Sequence, residues 1–583
     1  MKSLVIEDYA LIGDCETAAL VGRNGSIDWL CWPDFSSPAC FASLLGSTEN
    51  GRWQIAPEAE PRRITRQYRE HTLILETTFA THSGVVTVTD FMPPRGTHSD
   101  IVRMVCGVKG KVRMGMHLSL RFDYGNVQPW VELLGKNSYS IAAGPGMAAL
   151  RSQIPVEWKN GDGYAKFLVN RGDNIFFVLT YGKSFERTPK AIDPVRALKE
   201  TERFWIAWAR KNQYTGPYKE AVERSLITLK AMTYRPSGGI VAAPTTSLPE
   251  RLGGSLNWDY RYCWLRDATL TIQALTQAGY REEAAAWHQW LLRAIAGDPD
   301  KIQIMYGIGG ERQLEERVIE WLPGYQRSAP VRIGNAAAKQ LQMDIFGELA
   351  DVLFHARKEG LPTTKGDLQL QEAITTHLAK IWKQPGSGMW EKRGKKHVYT
   401  YSRAMAWVTM DRAVRSIEAH GMRGPIRRWR KLRDEIHKDV CRNGFNRQLG
   451  SFVQSYGSRR LDASTLRLSL VGFLPESDPR ISCTVRAVEK HLLFGGLLQR
   501  YKTGAALPKE GTFLACSFWL VQNYARLGRA EDAESLFEKL LTLRNDVGLL
   551  AEEYDPQKKR MLGNFPQAFS HIGLVNAAFD LKH

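Results

Sequence analysis

Between about residues 51 and 181 apolar side chains recur at every second position. The runs are Thr72-Leu-Ile-Leu-Glu-Thr-Thr-Phe79, Gly84-Val-Val-Thr-Val-Thr-Asp-Phe91, Ile101-Val-Arg-Met-Val-Cys106, Val112-Arg-Met-Gly-Met-His-Leu-Ser-Leu120 and Asn174-Ile-Phe-Phe-Val-Leu179. A period of two with β-branched and aromatic residues predicts strands, and glycine-containing turns between short runs predict an antiparallel β-sandwich. After Asp193 the pattern changes, and 195–211 reads as a helix that is polar on one side. From Pro217 onward the helical period takes over, with Val222, Leu226 and Leu229 on one stripe and Ala533, Leu536, Phe537, Leu540 and Leu541 on another. About twelve such segments are predicted, near 217–232, 266–278, 282–295, 335–358, 366–382, 402–419, 425–441, 460–470, 479–492, 512–527, 530–543 and 570–581. The expected division is a β-sandwich domain over 1–193, a helical linker over 194–216 and a helical domain over 217–583. Twelve helices in antiparallel pairs can close into a ring or stay open as a solenoid, and periodicity does not distinguish the two.

A chain of 583 residues exceeds one ordinary core, in keeping with two large parts. Seventeen Trp, 20 Tyr and 22 Phe supply ample apolar surface; most belong to packing, and some suit a sugar-stacking cleft. The net charge of +18 raises nucleic acid as a partner. It is spread out, however, and neither Arg423–Arg433 nor Lys392–His397 sits in a base-reading module, so no nucleic-acid partner is expected. The eight cysteines are scattered without zinc-site spacing, which predicts free thiols and no metal. The opening Met-Lys-Ser-Leu-Val-Ile-Glu-Asp-Tyr lacks an apolar leader, and no run of 18 apolar residues occurs. A cytoplasmic protein without membrane partners is the expectation.

Two glutamates stand in distinctive settings, Glu391 in Gly388-Met-Trp-Glu-Lys-Arg393 and Glu552 in Leu549-Leu-Ala-Glu-Glu-Tyr-Asp-Pro556. Upstream lies an aromatic segment ending in an Arg-Asp pair, Asn257-Trp-Asp-Tyr-Arg-Tyr-Cys-Trp-Leu-Arg-Asp267. Cleaving a glycosidic bond without cofactor or metal needs one carboxylic acid for the leaving oxygen and one carboxylate for water or the anomeric carbon. All three stretches fall in loops at helix ends, where a rigid scaffold projects functional side chains. Taken singly each has a plainer use: a surface glutamate in a basic loop, a solvated acidic pair, an ion pair at a helix start.

Together with His397-Val-Tyr-Thr-Tyr-Ser-Arg-Ala-Met-Ala-Trp407 and Gly563-Asn-Phe-Pro-Gln-Ala-Phe-Ser-His-Ile-Gly-Leu-Val575, these stretches resemble glycoside hydrolase family 15, the glucoamylases and bacterial trehalases. The opening Ile6–Cys15 and Gly25-Ser-Ile-Asp-Trp-Leu-Cys-Trp-Pro33 look like the N-terminal region of its prokaryotic branch. The resemblance spans essentially the whole chain and implies an N-terminal antiparallel β-sandwich followed by a C-terminal (α/α)6 barrel. It implies Glu391 as general acid, Glu552 as general base, Glu553 as a neighbour that orients the base or shapes the subsite, Arg266 and Asp267 as clamps on the terminal glucose, and Tyr260, Trp264 and Trp390 as pocket residues. Members of the family invert the anomeric centre, which requires carboxyls roughly 6.5–9.5 Å apart.

The long connection carrying Tyr306–Arg312 and Trp321–Tyr325 is expected to build the acceptor side, with Trp321, its only tryptophan, as the stacking face or else packed between loop and barrel, although Gly309 stands where many bacterial relatives carry Asp. The expected activity is an inverting, exo-acting α-glucoside hydrolase releasing β-D-glucose. Trehalose is the favoured substrate, since a small soluble disaccharide suits a cytoplasmic chain, and no cofactor is expected. Maltooligosaccharides or isomaltose are the alternative, and a barrel that binds carbohydrate without turning it over is the remoter one.

Overall fold

The computed structural model describes residues 4–295, 301–358, 360, 363–502 and 510–582. An antiparallel β part occupies the N-terminal third, as the alternation predicts. Its organiser is a 20-residue strand, Asp100–Ser119, read above as two separate strands. The first half pairs with Gly84–Phe91 and Asn174–Lys183 and the second with Arg52–Pro57 and Asp162–Asn170, so one strand serves both sheets. Gly107 and Gly110 mark the changeover rather than a turn. A Cβ at Gly110, whose φ is +66°, would lie 2.2 Å from the Ser83 carbonyl oxygen, so the chain passes there only as glycine.

Four further strands, Tyr9–Gly13, Ala18–Gly22, Ser26–Cys31 and Ala39–Phe41, escaped the sequence reading because every one of their residues is buried. A strand covered on both faces has no polar side to alternate with, so its signature is a short apolar run.

The helical part contains α1 (Pro194–Ala209), α2 (Lys219–Ala231), α3 (Leu265–Gln277), α4 (Arg281–Ala294), α5 (Asp344–Lys358), α6 (Lys365–Ile381), α7 (Thr400–His420), α8 (Ile426–Asn443), α9 (Arg467–Leu470), α10 (Pro479–Leu492), α11 (Leu514–Arg526), α12 (Ala530–Leu541) and α13 (Ala568–Asp580). Neighbour contacts run α3 to α5, α7, α9, α11, α13 and back to α3, which closes an inner ring of six. Helices α2, α4, α6, α8, α10 and α12 form the outer layer. Burial follows: α13 is covered along nearly its whole length, whereas α8 buries only Trp429, Ile436 and Val440. A helix that is apolar all round belongs inside, and a one-striped helix belongs outside.

Two predicted helices are shorter than expected. The segment 335–358 holds a 3-10 turn at Ala336–Lys339, capped by Asn335, before α5 begins at Asp344. The segment 460–470 opens with a turn capped by Asp462 and leaves only one turn of α-helix. In both, a side chain that accepts from nearby backbone N–H groups favours a turn over a continuous helix. No helix of the described residues is long and apolar enough to cross a membrane.

Helix α1 joins the two parts. Ala197 and Leu198 pack on Phe91, Val102 and Val178 of the sheet, while Trp208 stacks on Tyr280 with ring centroids 4.1 Å apart. Nearer the barrel mouth, the Trp29 indole donates to the Pro244 carbonyl at 2.8 Å. Arg261 is buried and donates to Asp259 at 2.9 and 2.7 Å, to the Ser37 carbonyl at 3.0 Å and to the Tyr124 hydroxyl at 3.0 Å. Tyr124 and Ser37 belong to the β part, which therefore braces the segment immediately next to Tyr260. An unpaired charge at such depth costs several kcal/mol, so this network holds the segment in one position.

Candidate active site

At one mouth of the barrel, the segments preceding the inner helices surround a cavity of about 370 Å³, a size typical of small-molecule sites. Trp258, Tyr260 and Arg266 come from before and within the first turn of α3, Asn335 and Ala337 from before α5, and Trp390 and Glu391 from before α7. Arg500, Tyr501, Glu510 and Phe513 come from before α11. The inner helices thus direct their N-termini, the positive ends of their dipoles, toward the carboxylates of this mouth.

Glu391 occupies the left-handed region with φ 54°, a conformation rare for a residue with a side chain and often found at functional sites. Several contacts hold it there. Its N–H donates to the Gly388 carbonyl at 3.1 Å, its carbonyl accepts from the Gln340 amide at 3.0 Å, and the Trp264 indole donates to its Oε1 at 2.7 Å. Trp390 is fixed by its own indole on Asp462 at 2.8 Å. One fifth of the Glu391 side chain is accessible, and it lines the cavity from an otherwise buried position. Burial pushes this carboxyl up to about 7, against the opposing pull of Arg266 and of the Trp264 hydrogen bond. The adjacent Lys392 and Arg393 do not set it: Lys392 lies over the Tyr501 ring at 3.8 Å and Arg393 over the Trp258 ring at 4.2 Å.

Glu552 is buried behind the Tyr260 hydroxyl, which donates to its Oε1 at 2.6 Å, while the Asn564 N–H donates to Oε2 at 3.3 Å. The Tyr260 and Trp264 rings meet edge to face at 5.2 Å. A continuous chain of contacts, Glu391 to Trp264 to Tyr260 to Glu552, therefore joins the cavity-lining acid to the one that stands behind Tyr260. Burial is the main influence raising the Glu552 carboxyl, Glu250 adds to it, and the Tyr260 hydrogen bond and Arg500 oppose it.

The structure brings all eight sequence-derived candidates to this mouth, in two layers. Tyr260, Arg266, Trp390 and Glu391 line the cavity; Trp264, Asp267, Glu552 and Glu553 stand behind them. Arg266 and Asp267 belong to the first turn of α3 rather than to a loop. Asp267 does not cap the helix: its Oδ1 accepts from Arg266 Nε at 2.7 Å, and Arg266 also donates to the Met389 carbonyl at 2.6 Å. The pair thus ties α3 to the loop that carries Glu391.

None of residues 306–325 lines the cavity itself, so the stacking face expected there does not meet it. Trp321 is 42% exposed and donates to the Tyr124 carbonyl at 3.1 Å, so it packs on the β part.

Sequence reasoning missed the acidic cluster around Arg500. The Arg500 guanidinium lies 2.6 Å from Glu250, 2.8 Å from Glu510 and 3.4 Å from Glu553. It also faces the Trp390 ring at 5.7 Å and the Phe513 ring at 5.3 Å. Burial is the largest influence raising the Glu250 and Glu553 carboxyls, and Arg500 pulls both down. No motif links Glu250, Arg500 and Glu510, each of which stands alone in its own stretch of chain.

Comparison with known proteins accords with this arrangement. A model of glycosyl hydrolases family 15 matches residues 216–579, and one of a trehalase-like N-terminal region matches 1–163. A trehalase of Mycolicibacterium smegmatis is 36% identical over 98% of this chain and 90% of its own. A trehalase of Thermoplasma volcanium is 34% identical over 99% of this chain and 93% of its own. Among solved structures, a bacterial glucoamylase complexed with acarbose superposes with a TM-score of 0.73 at 12% identity, covering all of this chain and 94% of that one; at that identity the likeness concerns the fold. With the family model covering well over half of the chain and both relatives aligned nearly end to end, the chain belongs to glycosyl hydrolases family 15.

Proposed function

We propose that this glycosidase hydrolyses trehalose with inversion, Glu391 acting as general acid and Glu552 as general base. The observation that carries the reading is the linking of two carboxyls, Glu391 on the cavity wall and Glu552 buried just behind it, by donors from the same short segment, Trp264 for Glu391 and Tyr260 for Glu552. Protonated Glu391 gives its proton to the glycosidic oxygen as the bond to the anomeric carbon breaks. Ionised Glu552 takes a proton from water attacking the opposite face, so one proton enters and one leaves per turnover. Arg266, held by Asp267 and Met389, directs its remaining N–H groups at the hydroxyls of the terminal glucose, and Trp390 offers a ring to the same sugar. Such contacts with the non-reacting part of a substrate convert binding energy into positioning. The nearly full-length likeness to trehalases supports trehalose as substrate, and the reading includes a cytoplasmic location, where a soluble disaccharide is accessible.

Incubating the protein with trehalose, maltose and isomaltose and following the anomeric protons by NMR tests the reading. Trehalose is expected to give the highest kcat/KM, with β-glucose from the attacked half and α-glucose from the leaving half appearing in equal initial amounts. Preference for maltose or isomaltose would remove trehalose as the substrate, and α-glucose as the sole initial anomer from trehalose would remove inversion.

A pH dependence follows from the same roles. Glu391 must carry its proton, so activity declines as pH rises through about 7, the value to which burial pushes it. Glu552 must be ionised, so activity declines as pH falls through its own value, raised to about 8, and because this lies above that of Glu391 the productive pair of protonation states is a minority form. Both limbs lie above the ordinary carboxylate range. The profile of kcat/KM, which reports the free enzyme, is therefore expected to be a narrow bell near neutrality. A plateau over pH 4 to 6 would contradict this assignment.

A further inference from the structure

The Trp258 ring lines the cavity beside Glu391 and is covered by two guanidiniums, with Arg332 at 4.5 Å and Arg393 at 4.2 Å from its centroid. One carboxylate joins them. Glu316 Oε1 accepts from Arg393 Nη1 at 3.0 Å and lies 3.5 Å from Arg332 Nε. Its Oε2 accepts the Ala336 N–H at 3.0 Å, at the start of the turn that places Ala337 on the cavity wall. Although burial pulls its carboxyl upward, the hydrogen bonds from Arg393 and Ala336 leave the net shift downward, so Glu316 is ionised at neutral pH. Arg332 is fixed independently by donating to the Ser255 and Asn257 carbonyls, each at 2.9 Å. Among the described residues Arg393 is held otherwise by the Trp258 face alone, and 45% of its side chain is exposed.

Arg393 follows Glu391 by two residues on one loop and lines the same cavity as Glu391 and Trp258, which is where a wall beside the departing sugar would stand if Glu391 protonates it. We propose that Glu316 is a specificity-determining residue: by clamping Arg393 and Arg332 onto Trp258 it closes the leaving-group side of the cavity at the length of a disaccharide. The inference rests on the roles proposed above for Glu391 and Glu552. Without the carboxylate, two guanidiniums share one ring with no counter-charge, and the exposed Arg393 swings toward solvent. The cavity then lengthens on the leaving side.

The test compares kcat/KM for trehalose with that for its trisaccharide extended by one α-1,4-linked glucose on the leaving half, so that the scissile bond is the same. Wild type is expected to favour the disaccharide. Glu316→Gln keeps an acceptor for the Ala336 N–H but removes the charge, and is expected to shift the ratio toward the trisaccharide by about tenfold, a typical scale for one charge-assisted contact. Most of the change should appear in KM for the longer substrate. Arg393→Gln is expected to shift the ratio the same way, and the double variant no further than either single one, because both break one contact. A merely structural role would lower both activities alike and leave the ratio unchanged, which overturns the proposal; should Glu316→Gln not fold, Arg393→Gln decides. Equal cleavage of both substrates by wild type overturns the clamp but leaves the glycosidase reading standing. Failure of wild type to cleave trehalose overturns both.

Discussion

Glu391→Gln is expected to lower kcat on trehalose by about 10²- to 10⁴-fold, the range that general acid catalysis contributes. The amide has the shape of the carboxyl and still accepts the Trp264 hydrogen bond, now made at 2.7 Å, so the pocket persists while the transferable proton is lost. Two accompaniments separate a lost acid from a damaged site. With α-glucosyl fluoride, whose leaving fluoride needs little protonation, the variant is expected to regain most of the wild-type rate. The alkaline limb of the pH profile should also vanish, since the group titrating near 7 is gone. An equal loss on both substrates would show that Glu391 does something other than protonate the leaving group. Measurement of kcat rather than KM is decisive, because an interaction present only in the transition state lowers kcat and kcat/KM together.

Glu552→Gln is expected to cost a similar factor of about 10² to 10⁴, with the opposite accompaniments. Activation of water is needed whatever the leaving group, so glucosyl fluoride should not restore the rate. The acid limb should disappear instead of the alkaline one. Azide, a nucleophile that needs no base, is expected to restore turnover and give β-glucosyl azide by attack on the face that water would use. A rate restored by fluoride but not by azide would exchange the two roles. Glu250 is the natural alternative base, because it lines the cavity and meets Arg500 at 2.6 Å. If Glu552→Gln retains wild-type activity while Glu250→Gln loses it, the base has been misassigned.

The candidate acids were legible because their local settings are unusual: a tryptophan before Glu391, and Glu552 within an acidic and aromatic run. Their partners within the Asn257–Asp267 segment were equally legible, since Tyr260, Trp264, Arg266 and Asp267 lie within one stretch and meet one site. Glu316, Arg332, Glu250, Glu510 and Arg500 carried no such signal. Each is an ordinary charged residue, and only the packing of α3, α7 and α11 around one axis brings their loops together. Trp321 failed for the complementary reason: an aromatic in a long connection has the composition of a stacking residue, yet its partner turned out to be the Tyr124 carbonyl of the β part.

Periodicity was sufficient for the class of each major element, because the spacing of apolar side chains reports which face of a strand or helix must leave water. It does not report what that face meets. The closing of α13 onto α3, the sharing of Asp100–Ser119 between two sheets and the fully buried strands of residues 9–41 were therefore matters of tertiary structure. The same division holds for the chemistry. Which residues can donate or accept a proton is written in the chain, whereas the raised carboxyls of Glu391 and Glu552 arise from desolvation and from charges distant in sequence, both of which exist only once the loops have packed together.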